Sequence, residues 1–153
     1  MAGEVAAYAR DEMGIEFLPW QARVLDRLLE VDGDGLWCWP RAIVLVPRQS
    51  GKSTIVRALA EWRAAGGGTV LTTSAKLTTI LDLMREPQLR YRDRDGFTVK
   101  LIRDQPEIAW PGAGAQGHRW ISQASNQMLG RGFTVDLAVI DEVQDVVPDA
   151  WES

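Results

Sequence analysis

The stretch Ile43-Val44-Leu45-Val46-Pro47-Arg48-Gln49-Ser50-Gly51-Lys52-Ser53-Thr54 constrains this chain more than any other. An apolar β-branched run enters a tight polar turn, and a helix-compatible segment leaves it. Gly51-Lys52-Ser53 matches the end of the Walker A pattern, G-x-x-x-x-G-K-[ST]. In that pattern backbone N–H groups wrap phosphate oxygens, the lysine reaches the β- and γ-phosphates, and the hydroxyl holds Mg²⁺. Val46 stands where the pattern has its first glycine, so the match is partial. A bare Gly-Lys-Ser tripeptide is a frequent accident, and an ordinary surface turn is the competing reading. Context has to decide.

Much of that context lies near the other end. Val135-Asp136-Leu137-Ala138-Val139-Ile140-Asp141-Glu142 reads as a buried strand ending in two acids, the Walker B arrangement. A parallel strand covered on both faces is apolar almost throughout, and carboxylates at its C-terminal end emerge where ligands bind in open α/β sheets. Asp141 is then the Mg²⁺ candidate, and Glu142 the residue that orients and activates a water. The plainer alternative is a solvated strand end.

At 153 residues and 46% hydrophobic, the chain has material for one domain with a real core. A net charge of −4 argues against wholesale coating of nucleic acid, although a local basic stripe survives such an average. Cys38 is the only cysteine, which excludes an intrachain disulfide and a cysteine-based metal site. No apolar run is long enough to span a bilayer, and the start lacks the basic-then-apolar order of a secretory leader.

In chain order, residues 1–18 predict a loosely held arm containing a short helix. An amphipathic helix over 19–31 follows, with Pro19 in its first turn and Asp32-Gly33-Asp34-Gly35 as its stop. Phe17, Trp20 and Gln21 read most simply as a helix start with aromatic packing. The run Arg41 to Val46 predicts a central strand, Ser53 to Ala65 a helix ended by Gly66-Gly67-Gly68, Thr69 to Ser74 a strand, and Ala75 to Glu86 a helix. This β-α-β-α order signals a mainly parallel sheet flanked by helices. Arg90 to Asp95 alternates charges and reads as a solvated turn or helix end. Phe97–Ile102, Glu107–Trp110 and Arg119–Ser122 predict a small antiparallel insertion. His118 has no neighbours at ligand spacing and is assigned nothing.

With these pieces in place, the chain resembles the N-terminal ATPase domain of the large terminase subunit of tailed bacteriophages, the motor that packages double-stranded DNA. Three features carry the resemblance: Leu18-Pro19-Trp20-Gln21, like an upstream aromatic-Gln adenine motif; the arginine-containing loop from Val46 to Ser53; and Gly130-Arg131-Gly132 leading to Asp141-Glu142. The resemblance covers about residues 15–147 and makes the missing first glycine an expected departure.

It implies a P-loop NTPase fold of the additional-strand, catalytic-glutamate type, with ATP and Mg²⁺ as cofactors. Trp20 and Gln21 would frame adenine, and Pro47, Arg48, Gln49, Ser50, Gly51, Lys52, Ser53 and Thr54 would cradle the phosphates. Ser53 and Asp141 would serve Mg²⁺. Glu142, Lys52 and Arg48 would take catalytic roles, with Arg131 a charge-stabilising candidate toward a neighbouring subunit. It further implies DNA, portal and small-subunit partners, a possible homo-oligomeric ring, and the cytoplasm of an infected or lysogenic bacterial host. Residues 1–153 would then be only the N-terminal part of such an ATPase domain. The coupling motif and nuclease domain would be lacking, and a gap in the sheet would leave the domain poorly soluble and near-background in turnover. Two competing functions are a helicase-like ATPase, because Leu71-Thr72-Thr73-Ser74-Ala75 resembles a DNA-contacting strand end, and a non-catalytic nucleotide-binding remnant.

Overall fold

A computed structural model describes residues 1–102, 105–112, 117–124 and 134–142. The chain divides into two compact units, Met1–Trp62 and Arg63–Ser153.

The first unit begins with helix α1 (Ala2–Met13), which Gly14 ends in the left-handed conformation, φ 67°. Only glycine adopts that angle without steric cost, and the Gly14 N–H donates back to the Arg10 carbonyl at 3.2 Å. Val5 and Ala9 of α1 are fully buried, so this segment is a packed helix and corrects the expectation of a loose arm. Helix α2 (Pro19–Leu28) packs against α1 and buries Leu25, with Pro19 in the first turn, where a missing N–H costs nothing. It stops shorter than predicted. Asp32 Oδ1 then accepts the N–H groups of Asp34 and Leu36, both at 2.9 Å, and closes a tight turn that brings Val31 opposite Trp37.

The run Ile43–Val46 belongs to no strand. Ile43 is 82% and Leu45 88% exposed, against the expected buried central strand. β-branched composition favours extended backbone, but a ladder also needs an adjacent strand. Helix α3 (Lys52–Ala65) follows the turn and buries Ile55, Val56 and Leu59.

The second unit holds the sheet: β1 (Thr69–Ser74), β2 (Thr98–Lys100), β3 (Glu107–Ala109), β4 (Arg119–Ala124) and β5 (Leu137–Asp141), in the order β2-β3-β4-β1-β5. β4 and β5 both run parallel to β1, while β3 is antiparallel to β2 and β4. The fold is therefore α/β with a five-strand mixed sheet and four helices among the described residues. The segment starting at Arg119, predicted as part of an antiparallel insertion, is instead the joint between the parallel and antiparallel halves. Every residue of β1 is buried, as a central strand requires. β5 lies at the sheet edge, half-buried with Ala138 exposed, so the expectation of a strand covered on both faces is not met.

β5 is fastened at its start. Asp136 donates its N–H to the Thr69 carbonyl at 2.9 Å and accepts the Thr69 N–H on Oδ2 at 2.7 Å, while Oδ1 meets Arg63 Nη2 at 3.3 Å. Helix α4 (Leu77–Tyr91) runs through Pro87 and ends further on than predicted. At its end Tyr91 is buried, stacked on Phe97 at 4.7 Å between ring centroids and tilted against Trp110 at 5.2 Å. This aromatic cluster extends a helix that charge alternation alone would have ended earlier.

Candidate phosphate loop and strand-end carboxylates

The turn between Pro47 and Lys52 is built by two positive-φ residues, Gln49 at 59° and Gly51 at 91°. Ser50 Oγ donates to the Pro47 carbonyl at 2.8 Å and tightens the loop from within. Lys52 is the first residue of the 14-residue α3, so helix-start N–H groups lie at the turn, where that of Thr54 donates to the Gly51 carbonyl at 3.2 Å. Lys52 and Thr54 are half-buried, whereas Pro47, Arg48, Gln49 and Ser53 are exposed. A lysine, two hydroxyl residues and a helix start thus follow one another at a single turn, a residue set that suits an anionic ligand.

Gln21 is the loop's main anchor outside itself. Its Nε2 donates to the Gly51 carbonyl at 3.0 Å and its Oε1 accepts the Leu18 N–H at 2.8 Å, with the side chain almost wholly buried. Gly51 has the φ of 91° that favours glycine, and a Cβ added there would stand 2.8 Å from Gln21 Nε2 and displace the tip of that side chain from its hydrogen bond. Trp20, its neighbour on α2, points elsewhere. It lines a cavity of about 850 Å³ together with Arg23, Val24, Arg27, Trp39 and the Ala42–Val46 segment. The two side chains that the sequence pairs as an adenine frame thus diverge, one bracing the loop and the other lining the cavity.

In the second unit, Asp141 closes β5 opposite Ser74 of β1. Glu142 follows with φ 54°, a left-handed turn that a non-glycine residue adopts at a cost. Its N–H donates to Asp141 Oδ1 at 2.8 Å, and its Oε2 lies 3.7 Å from Lys76 Nζ. Both acids thus stand at the carboxyl end of a parallel strand, the usual ligand side of such sheets. Among the described residues there is no group of three or more His, Cys, Asp or Glu arranged to hold a metal ion. A nucleotide-linked cation does not need one, since a hydroxyl, one carboxylate and phosphate oxygens supply enough hard donors.

No family model, curated protein or solved structure matches the chain. Site geometry therefore carries the functional argument.

Arg131 and the Gly130-Arg131-Gly132 loop lie outside the described residues. Thr72, Thr73 and Ser74 are 2%, 3% and 1% exposed, and Thr72 is hydrogen-bonded to Ser122 and accepts Trp120 Nε1–H at 3.0 Å. Side chains buried in this way do not present themselves to a DNA backbone. Sequence reasoning missed Lys76 and Gln123, both close to strand ends. Their signal was positional only, each lying within two residues of the end of a strand in the parallel half of the sheet. No described helix is long and apolar enough to cross a membrane.

Proposed function

We propose that the chain is a nucleotide-binding domain that hydrolyses ATP, of the kind that drives DNA packaging in large terminase subunits. The observation that carries this reading is the turn through Gln49 and Gly51, which presents Lys52 at the start of a long helix. Lys52 and the helix-start N–H groups bind and neutralise phosphate oxygens, the main demand of phosphoryl transfer. By the same resemblance Ser53 and Asp141 would serve Mg²⁺, which when bound would shield phosphate charge. Glu142 orients a water and takes its proton. Arg48, exposed in the loop, reaches toward the terminal phosphate, and Trp20 offers a ring to the base.

Titration with a fluorescent ATP analogue in the presence of Mg²⁺ tests this. Lys52→Ala should weaken binding by about tenfold or more, the loss of one charge-assisted contact. Equal affinity in both proteins removes the phosphate-loop assignment. Double-stranded DNA, a portal, a small subunit, a ring of copies and a bacterial host cytoplasm belong to this proposal through the terminase resemblance.

A second reading, a domain that binds nucleotide without turning it over, is favoured by one observation. The segment before the loop is not held in a ladder. In a P-loop enzyme the strand before the loop fixes the lysine against the strand-end carboxylates. Phosphate release measured alongside binding separates the two readings.

A further inference from the structure

The carboxyl end of the parallel strands holds buried polar atoms that neither the fold nor the proposed reaction uses. Thr73 of β1 and Gln123 of β4 are register partners, so their side chains leave the same face of the sheet about 5 Å apart at the backbone. Thr73 is 3% and Gln123 8% exposed. Thr73 Oγ1 and Gln123 Oε1 are both shielded from solvent without a hydrogen-bond partner among the described residues. Glu142 Oε2, likewise without a hydrogen bond, has Lys76 Nζ at 3.7 Å. Buried polar atoms in folded proteins are nearly always paired, with protein or with ordered water. Two such atoms side by side on one face, unpaired with each other, point to a common third partner.

The chemistry of that partner follows from the atoms. Gln123 Oε1 only accepts, Thr73 Oγ1 donates or accepts, and a carboxylate oxygen only accepts. A phosphate or another carboxylate cannot satisfy the amide oxygen. A water molecule satisfies the set: it donates to Gln123 and to a second acceptor while accepting from Thr73. We propose that Thr73 and Gln123 bind a water molecule at the end of the sheet where Glu142 stands, and that the pair acts as positioning residues for water delivered to Glu142. The delivery role rests on the hydrolytic reading above; the water site does not.

The test uses the whole chain with Thr73→Val, Gln123→Leu and the double variant, each close in shape to the residue replaced. A shared water makes the two side chains one network. Each single variant should then lower the melting temperature by a few degrees, and the double variant no further than the worse single. Thr73→Ser, which keeps the hydroxyl, should melt near the parent. Additive losses, or melting temperatures that rise with the apolar side chains, overturn the water site.

For the positioning role, Mg²⁺-ATP hydrolysis should fall about tenfold or more in Gln123→Leu with KM unchanged. Unchanged kcat in Gln123→Leu removes that role and leaves a structural water. A parent chain that binds ATP but releases no phosphate refutes the hydrolytic reading and the delivery role with it, while the melting cycle still decides the water. Loss of ATP binding in Lys52→Ala together with parent-like behaviour of the pair sinks this inference alone.

Discussion

Lys76 Nζ lies 3.7 Å from Glu142 Oε2, so the proposed water-activating carboxylate has a cation beside it supplied by the segment that follows the central strand. The lysine side chain is 59% exposed, which limits what the pair contributes to stability. Its effect is on orientation. Glu142 turns out of β5 with a left-handed backbone, and the ammonium steadies a side chain that has no hydrogen-bond partner on Oε2.

Lys76→Met should therefore leave the urea midpoint almost unchanged, within about 0.5 kcal/mol, the range for exposed ion pairs. Phosphate release should fall several-fold, with ATP affinity kept. A variant that melts like the parent and turns over at the parent rate would detach Lys76 from the site.

Glu142→Gln should abolish turnover while sparing ATP binding, because an amide keeps the shape but cannot take a proton from water. Asp141→Ala should instead lose the dependence of binding on Mg²⁺. Near-normal hydrolysis by Glu142→Gln would move the catalytic role elsewhere, and Asp145, outside the described residues, is the next acid along.

The Gln21 tether makes a stability prediction within the first unit. Gln21→Ala leaves the Leu18 N–H and the Gly51 carbonyl without their partner and should cost about 1–3 kcal/mol in urea unfolding. Gly51→Ala adds strain at φ 91° and a clash with Gln21 Nε2, and should cost about 1–3 kcal/mol as well. In Gln21→Ala/Gly51→Ala the clash is gone, so the double variant should lose less than the two singles combined. Strict additivity would show that the two residues do not touch.

Ile43 and Leu45, both more than four-fifths exposed, give opposite expectations depending on whether they form a strand. In the observed fold, Ile43→Thr and Leu45→Thr should change stability by no more than about 0.5 kcal/mol, as surface changes do, and raise solubility. A loss of about 2 kcal/mol or more, typical of emptied cores, would show that the run is packed as its composition suggests. Denaturant titration and soluble yield measure the two.

The contrast between Ile43–Val46 and Thr69–Ser74 shows where the sequence was legible. Both are β-branched runs, and the second forms a fully buried strand with the predicted bounds. The first forms none, because propensity specifies an extended backbone but not a neighbour for its N–H and C=O groups. Helix α3 was readable from its spacing and from the glycines after it. The reach of α4 past Pro87 was not, since it depends on Tyr91 meeting Phe97 and Trp110, contacts remote along the chain. Lys52 at a helix start, and Asp141 and Glu142 at a strand end, stand on the kinds of element that the local pattern predicted for them. The bracing of Gly51 by Gln21, 30 residues earlier, could not be read from local pattern, because side-chain direction around a helix is fixed only once the helix is packed.

The clasp between Asp136 and Thr69 bears on which acid faces which side of the sheet. Backbone and carboxylate of one residue grip the same neighbour, one strand-position before β5 begins, and the grip admits a single alignment. Strand side chains alternate, so a slip of one residue would turn Asp141 to the opposite surface and bring Ile140 into its place. An edge strand paired on one side is the element most open to such a slip. Asp136, which touches none of the proposed ligands, thereby determines that the strand ends with its carboxylate, and not its isoleucine, on the Ser74 side.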